Sequence, residues 1–65
     1  MFVSNALSFA QKELKKQNIK SNIIDSEVLL SYILQRERSS LLINRDNYII
    51  SKFQFNKFKD LIEQR

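Results

Sequence analysis

The sequence predicts an all-α fold, a small bundle of four to five short helices. Apolar residues recur at steps of three and four along most of the 65-residue chain, which is the spacing of one helix face. The apolar content of 43% supports one modest core, and neither glycine nor proline interrupts the pattern. A chain of this length forms at most one domain, so we expect residues 1–65 to be a single helical domain.

The first helix is predicted from residues 2–4 to about Gln17. Its apolar stripe consists of Val3, Ala6, Leu7, Ala10 and Leu14. Lysines occupy the opposite face and the last turns, where they complement the negative end of the helix dipole. Asn18 follows, and it is expected to adopt the left-handed conformation that glycine usually supplies at a helix end.

The second helix is predicted to begin after Ser21, a favourable N-cap residue, and to run to about Gln35. It is apolar on most sides, with Ile23, Ile24, Val28, Leu29, Leu30, Tyr32, Ile33 and Leu34. We therefore expect it to be the central helix, contacted by several neighbours. Asp25 and Glu27 lie in its first turns, but two residues apart they point to different faces and do not form a catalytic pair.

The second half of the chain predicts two further helices. A short one should run from about residue 38 or 39 to Asn44, followed by a turn at residues 45–47. Residues 48–50 are expected to form an extended connector on the core, without a strand partner. Ser51 should cap a last helix that continues at least to Arg65. Its apolar face consists of Phe55, Phe58, Leu61 and Ile62, and Phe53 lies off that face.

The composition excludes most catalytic chemistry within these residues. Without histidine or cysteine the usual zinc-ligand sets, the hydrolytic triad and thiolate chemistry are absent. Without glycine there is no phosphate-binding loop, no dinucleotide turn and no glycine-rich S-adenosylmethionine site. We therefore expect no catalytic, cofactor-binding or metal-ligating residue in this chain. The longest apolar runs are far too short to span a membrane and no signal peptide is visible, so a cytoplasmic location is expected.

The charge pattern leaves two interpretations open. The net charge is +4, from eleven basic and seven acidic residues. Arg36, Arg38 and Arg45 lie near turns, where they either cap helix ends or contact a phosphate or carboxylate-rich partner. These arginines and Phe53 are the candidate partner-contact residues. Direct nucleic-acid binding is not favoured, because the lysines are scattered over the first and last helices.

The order of these features resembles the N-terminal domain of the HemK/PrmC methyltransferases. The segment from Ser21 to Leu34 carries the resemblance most clearly, with Asp25 to Leu30 matching position for position. Ser26 departs from the alanine common in that family, and Asn18 and Gln35 stand where glycine is common. The residues expected to form core and caps are Ser21, Asp25, Leu29, Leu30, Ile33, Ser51, Phe55, Phe58 and Leu61. Further matches are Ala6, Leu7, Leu14, Arg38, Ser39, Leu41, Leu42, Ile50 and Arg65.

The resemblance implies a specific function, whereas the composition only excludes classes of chemistry. The family consists of S-adenosylmethionine-dependent enzymes that methylate the glutamine of the Gly-Gly-Gln loop in class-1 peptide release factors. Its helical domain helps to grip the release factor, and a catalytic domain with an Asn-Pro-Pro-Tyr motif would follow residue 65. The partners implied are the release factor and the catalytic domain of the same protein. The alternatives are a small basic nucleic-acid-binding domain and a scaffold that only stabilises a neighbouring domain.

Overall fold

A computed structural model describes residues 1–64, and within them it contains four helices. They are α1 (Val3–Lys16), α2 (Asn22–Leu34), α3 (Arg38–Ile43) and α4 (Lys52–Glu63). The predicted all-α bundle is confirmed, and so are the approximate positions of the first three helices. The last helix was expected to reach Arg65, which lies outside the described residues. Within them α4 ends at Glu63, and Gln64 forms the turn that follows.

Two helices end in the left-handed geometry that glycine usually supplies. Asn18 has φ 62°, as expected, and the Ile19 N–H donates to the Leu14 carbonyl at 3.0 Å. Gln35 has φ 55° at the end of α2, and the next N–H, from Arg36, donates to the Ser31 carbonyl at 3.1 Å. These bonds satisfy carbonyls of the last turns that have no partner within the helix. The chain therefore stops both helices without glycine, at the cost of left-handed non-glycine residues.

The two serines expected to cap helices behave differently. Ser51 forms a complete capping box, in which the Gln54 N–H donates to Ser51 Oγ at 3.1 Å and the Ser51 N–H donates to Gln54 Oε1 at 3.0 Å. Ser21 occupies the N-cap position of α2, but its hydroxyl makes no bond to the helix backbone. It donates instead to Asp25 Oδ2 at 3.0 Å. With ψ at 28°, Ser21 lacks the extended backbone that aims a capping oxygen at the first turn, so the capping expectation is wrong there.

The core lies where α1, α2 and α4 meet, and α3 packs on α2. Because α2 contacts the other three helices, its predicted central position is confirmed. Leu29, Ile33 and Phe55 are partly buried against the core. Leu61 is also partly buried. The rings of Phe9 and Phe55 meet edge to face, with their centres 5.4 Å apart. The buried apolar residues are Val3, Ala6, Leu7, Ala10, Leu14, Leu30, Leu34, Leu41, Ile50, Phe58 and Ile62.

The connector before α4 pairs with the start of the chain. Phe2 and Ile49 form an isolated antiparallel bridge. The Val3 N–H donates to the Tyr48 carbonyl at 2.9 Å, and the Ile50 N–H donates to the Met1 carbonyl at 2.8 Å. The connector lies on the core as predicted, with Ile50 buried. The expectation that it lacks a partner is wrong, because the residues before α1 supply one.

Candidate docking surface

One side of α2 is apolar and faces away from the core. The buried side of this helix carries Ser26, Glu27, Leu30 and Leu34. On the opposite side Ile24, Val28 and Tyr32 are 53%, 45% and 76% exposed. Their spacing of four residues places them in one stripe about 12 Å long, which we call the outer stripe of α2. Although α2 is apolar on most sides and contacts three helices, these neighbours leave this part of its circumference exposed.

A surface groove runs beside this stripe and reaches α4. It is a shallow, open depression of about 700 Å³. Its floor includes Val28 and Tyr32, and its charged residues are Arg36, Glu37 and Lys57. The complete lining is Val28, Ser31, Tyr32, Ile33, Gln35, Arg36, Glu37 and Lys57. Apolar surface and basic groups from two helices and the segment after α2 thus share one concave site, which we call the α2–α4 groove.

Aromatic rings hold both basic groups of the groove. The guanidinium carbon of Arg36 lies 5.5 Å from the centre of the Tyr48 ring. The Nζ atom of Lys57 lies 4.6 Å from the centre of the Phe53 ring, one turn earlier on α4. Phe53 is 67% exposed, so this ring remains accessible beside the groove. Cation–π contacts of this kind restrict long side chains without consuming their hydrogen-bond donors.

Arg38 has a different environment from Arg36. Its Nη2 atom donates to Glu27 Oε1 at 3.1 Å, and the Glu27 side chain is only 11% exposed. Sequence reasoning missed this ion pair. The available signal was the spacing of Glu27, which lies three residues before Leu30 and seven before Leu34 and therefore on the buried side of α2. Arg45 is exposed in the turn before the connector, where its carbonyl accepts from the Ser4 N–H at 3.0 Å. The three candidate arginines thus have three different neighbours, and Arg36 is the one that lines the groove.

A second basic region lies where α1 meets the start of α2. Two smaller cavities, of about 410 and 310 Å³, share Lys15 and Asn22. Lys12 lines one of them and Lys20 lines the other. None of the described residues that line these cavities is aromatic, so the region offers no ring on which a nucleic-acid base could stack. We call it the second basic region, and it is a suitable reference for changes of charge.

Within residues 1–64 no three histidine, cysteine, aspartate or glutamate side chains come together in a way that could hold a metal ion. In the same part of the chain every buried polar side-chain atom has a hydrogen-bond partner. The helices described here are also too short or too polar for any of them to cross a membrane. What the groove can supply is apolar contact, ring faces and two cations.

These features define a small all-α domain with an apolar surface groove flanked by basic residues. The chain belongs to the PrmC N-terminal domain family, whose sequence model matches residues 5–65. It is 35% identical over 65 residues to a protein of Clostridium acetobutylicum named release factor glutamine methyltransferase. That match covers 100% of this chain and 22% of the relative, so the chain spans about a fifth of the relative's length. No solved structure matches the chain significantly.

The family assignment confirms the resemblance seen in the sequence. The matched region includes the segment from Ser21 to Leu34 on which that resemblance mainly depended. In the structure Ser26, where alanine was expected, is buried, and its hydroxyl donates to the Ile23 carbonyl at 2.8 Å. The departure from the family pattern is thus accommodated by a bond within the helix.

Proposed function

We propose that this chain is the substrate-docking domain of an S-adenosylmethionine-dependent methyltransferase. The enzyme would methylate the glutamine N5 atom in the Gly-Gly-Gln loop of class-1 peptide release factors, in the cytoplasm. Its catalytic domain would follow residue 65 and supply the cofactor site and the Asn-Pro-Pro-Tyr motif. Membership of the PrmC N-terminal domain family is the observation that carries this proposal.

The mechanism proposed for the domain is positioning. Contacts made far from the reacting atoms hold the release factor in one orientation, so that its loop reaches the active site as if in an intramolecular reaction. Binding energy from remote contacts is thereby used to lower the barrier of the methyl transfer. A mutation of the domain should then alter substrate capture and leave the cofactor site intact.

The size of the domain suits this role. A specific protein interface buries about 800 Å² on each partner. The two longer dimensions of the bundle are 29 and 22 Å, so one face can provide a large part of such an area. Tyr32 and Arg36 line the groove, and Phe53 lies against its Lys57; tyrosine, phenylalanine and arginine are enriched at interfaces.

The test compares the full-length protein with a variant that lacks this domain. Isothermal titration calorimetry with a class-1 release factor should show binding at least about tenfold weaker without the domain, since several contacts of interface quality are lost. Methylation of the release factor should show a raised KM. If the deletion lowers only the melting temperature and leaves the Kd unchanged, the domain is a scaffold and the proposal is wrong.

A further inference from the structure

We infer that the α2–α4 groove binds an acidic amphipathic helix of the release factor. The apolar side of that helix would lie on Val28 and Tyr32, and its carboxylates would face Arg36 and Lys57. This inference rests on the proposed function and adds to it the place of contact and the chemistry of the bound segment.

The outer stripe of α2 supplies the shape of the site. Three apolar side chains four residues apart remain exposed on a domain that has few residues with which to build its core. Contiguous exposed apolar surface on a small protein marks an interaction site more often than scattered single residues do. A stripe about two turns long matches the anchors that an amphipathic helix presents at positions i, i+3 or i+4, and i+7. The geometry therefore favours a helical segment over an isolated side chain.

The flanking charges determine the chemistry of that helix. Arg36 and Lys57 line the groove from two different elements, and Glu37 is the acidic residue in the same lining. A wholly apolar helix would remove both cations from water without giving them a partner, which is costly. Carboxylates on the flanks of the helix would pair with them, and the Arg36 guanidinium can bind one carboxylate through two parallel hydrogen bonds.

The aromatic neighbours of these cations reduce the cost of binding. Tyr48 and Phe53 already lie against Arg36 and Lys57 in the free domain. Long flexible side chains lose rotamer freedom when a partner immobilises them, and part of that loss has already occurred here. The cations are thus partly oriented before the release factor arrives.

Two other occupants fit the groove less well. A second copy of this chain would bring two molecules of net charge +4 together, and their mutual repulsion opposes that pairing. A nucleic-acid strand could pair with the cations and stack a base on Tyr32, but two cations with Glu37 beside them do not form the basic track that a run of phosphates follows. An acidic amphipathic helix satisfies the floor and the flanks together.

The experiment measures release-factor binding to the full-length protein by calorimetry, with two groove variants. Tyr32→Ala should weaken binding about tenfold, since exposed tyrosines at interface centres contribute strongly. Lys57→Glu should weaken it by a similar factor in about 50 mM salt and by much less in about 500 mM salt, where charges are screened. Ile43→Ala, an exposed apolar residue of α3, and Lys20→Glu, in the second basic region, are the matched controls and should leave the Kd within about twofold.

The outcomes separate this inference from the proposed function. If deletion of the domain weakens binding and both groove variants bind like wild type, the domain docks the release factor through another surface and the inference is wrong. Tighter binding by Lys57→Glu would mean a basic partner segment and would also overturn it. A lowered melting temperature of the Tyr32→Ala protein with an unchanged Kd would show that Tyr32 stabilises the enzyme and does not dock the release factor, which would overturn the inference. If neither deletion nor substitution alters the Kd, the proposed function itself is wrong.

Discussion

Replacing Arg38 with glutamine should destabilise the domain by removing the partner of Glu27. The Glu27 carboxylate lies on the buried side of α2, where its side chain is only 11% exposed, and Arg38 is the cation that reaches it, at 3.1 Å. A carboxylate left in such a place loses much of its hydration and gains nothing in return. The substitution thus tests whether Arg38 serves folding before it serves any partner.

The size of the effect follows from the exposure of the two groups. Hydrogen bonds to charged groups contribute about 1.5–3 kcal/mol when they are shielded from water. Exposed ion pairs contribute about 0.2–1 kcal/mol. With 46% of the Arg38 side chain exposed and Glu27 nearly buried, this pair lies between the two cases, and we expect a loss of about 1 kcal/mol. For a domain of this size that loss lowers the melting temperature by about 4–8 °C.

The assay is a double-mutant cycle in urea, followed by helical circular dichroism. The variants are Glu27→Gln, Arg38→Gln and the double substitution, and we expect a coupling energy of about 1 kcal/mol between the two positions. A coupling below about 0.3 kcal/mol would refute this reasoning, because distant or independent sites are additive within roughly that amount. Under conditions where it remains folded, Arg38→Gln should bind the release factor within about twofold of wild type, in contrast to the groove variants.

Three further substitutions test the helix ends and the core by the same urea titration. Ser51→Ala should lower the free energy of unfolding by about 1 kcal/mol, since it removes half of the capping box; an unchanged midpoint would contradict the observed cap. Gln35→Gly should raise it by about 0.5 kcal/mol, because relief of the left-handed strain exceeds the entropic cost of glycine. Asn18→Gly should raise the free energy of unfolding by less than Gln35→Gly does, because asparagine tolerates the left-handed conformation better than glutamine. Equal increases for the two substitutions would contradict this explanation. Phe58→Ala should lower the free energy of unfolding by about 3–5 kcal/mol, which is as much as a domain of this size has. A cooperative unfolding transition that persists in this variant would contradict the central place of Phe58 in the core.

Local signals in the sequence were sufficient for most helix positions and for one cap. α1 and α4 have a narrow apolar stripe opposite a charged face, and that pattern is set within a few turns. Ser51 and Gln54 have the spacing of a capping box, which depends on four consecutive residues. The left-handed conformation of Asn18 could be predicted because asparagine is one of the few residues other than glycine that adopt it. These features need no knowledge of the rest of the chain.

Features that depend on distant contacts were missed. The sequence placed Glu27 in the first turns of α2 for its charge, whereas the fold buries it, and its partner Arg38 comes from the next helix. The bridge between Phe2 and Ile49 joins residues that are far apart in the sequence, so no local pattern indicates it. Pairing of this kind is decided by the packing of the whole bundle.

The candidate surface was predictable only in part. Phe53 stood out because it lies off the apolar face of α4, and the structure leaves it exposed beside the groove. The outer stripe of α2 was instead counted within a helix that is apolar on most sides and was not recognised as a surface, because hydrophobic periodicity does not distinguish residues that face a core from residues that face another protein. Lys57 carried no signal of its own, since its place in the groove depends on how α4 packs against α2.

The most direct test of the account is an NMR titration of the full-length protein with a class-1 release factor, with backbone amide signals observed in this domain. Docking through the α2–α4 groove predicts shifts confined to one face, centred on Val28, Tyr32 and Lys57, with the second basic region, which includes Lys12 and Lys20, unchanged. Saturation of the complex without any shift in this domain would contradict the claim that the domain grips the substrate of the enzyme.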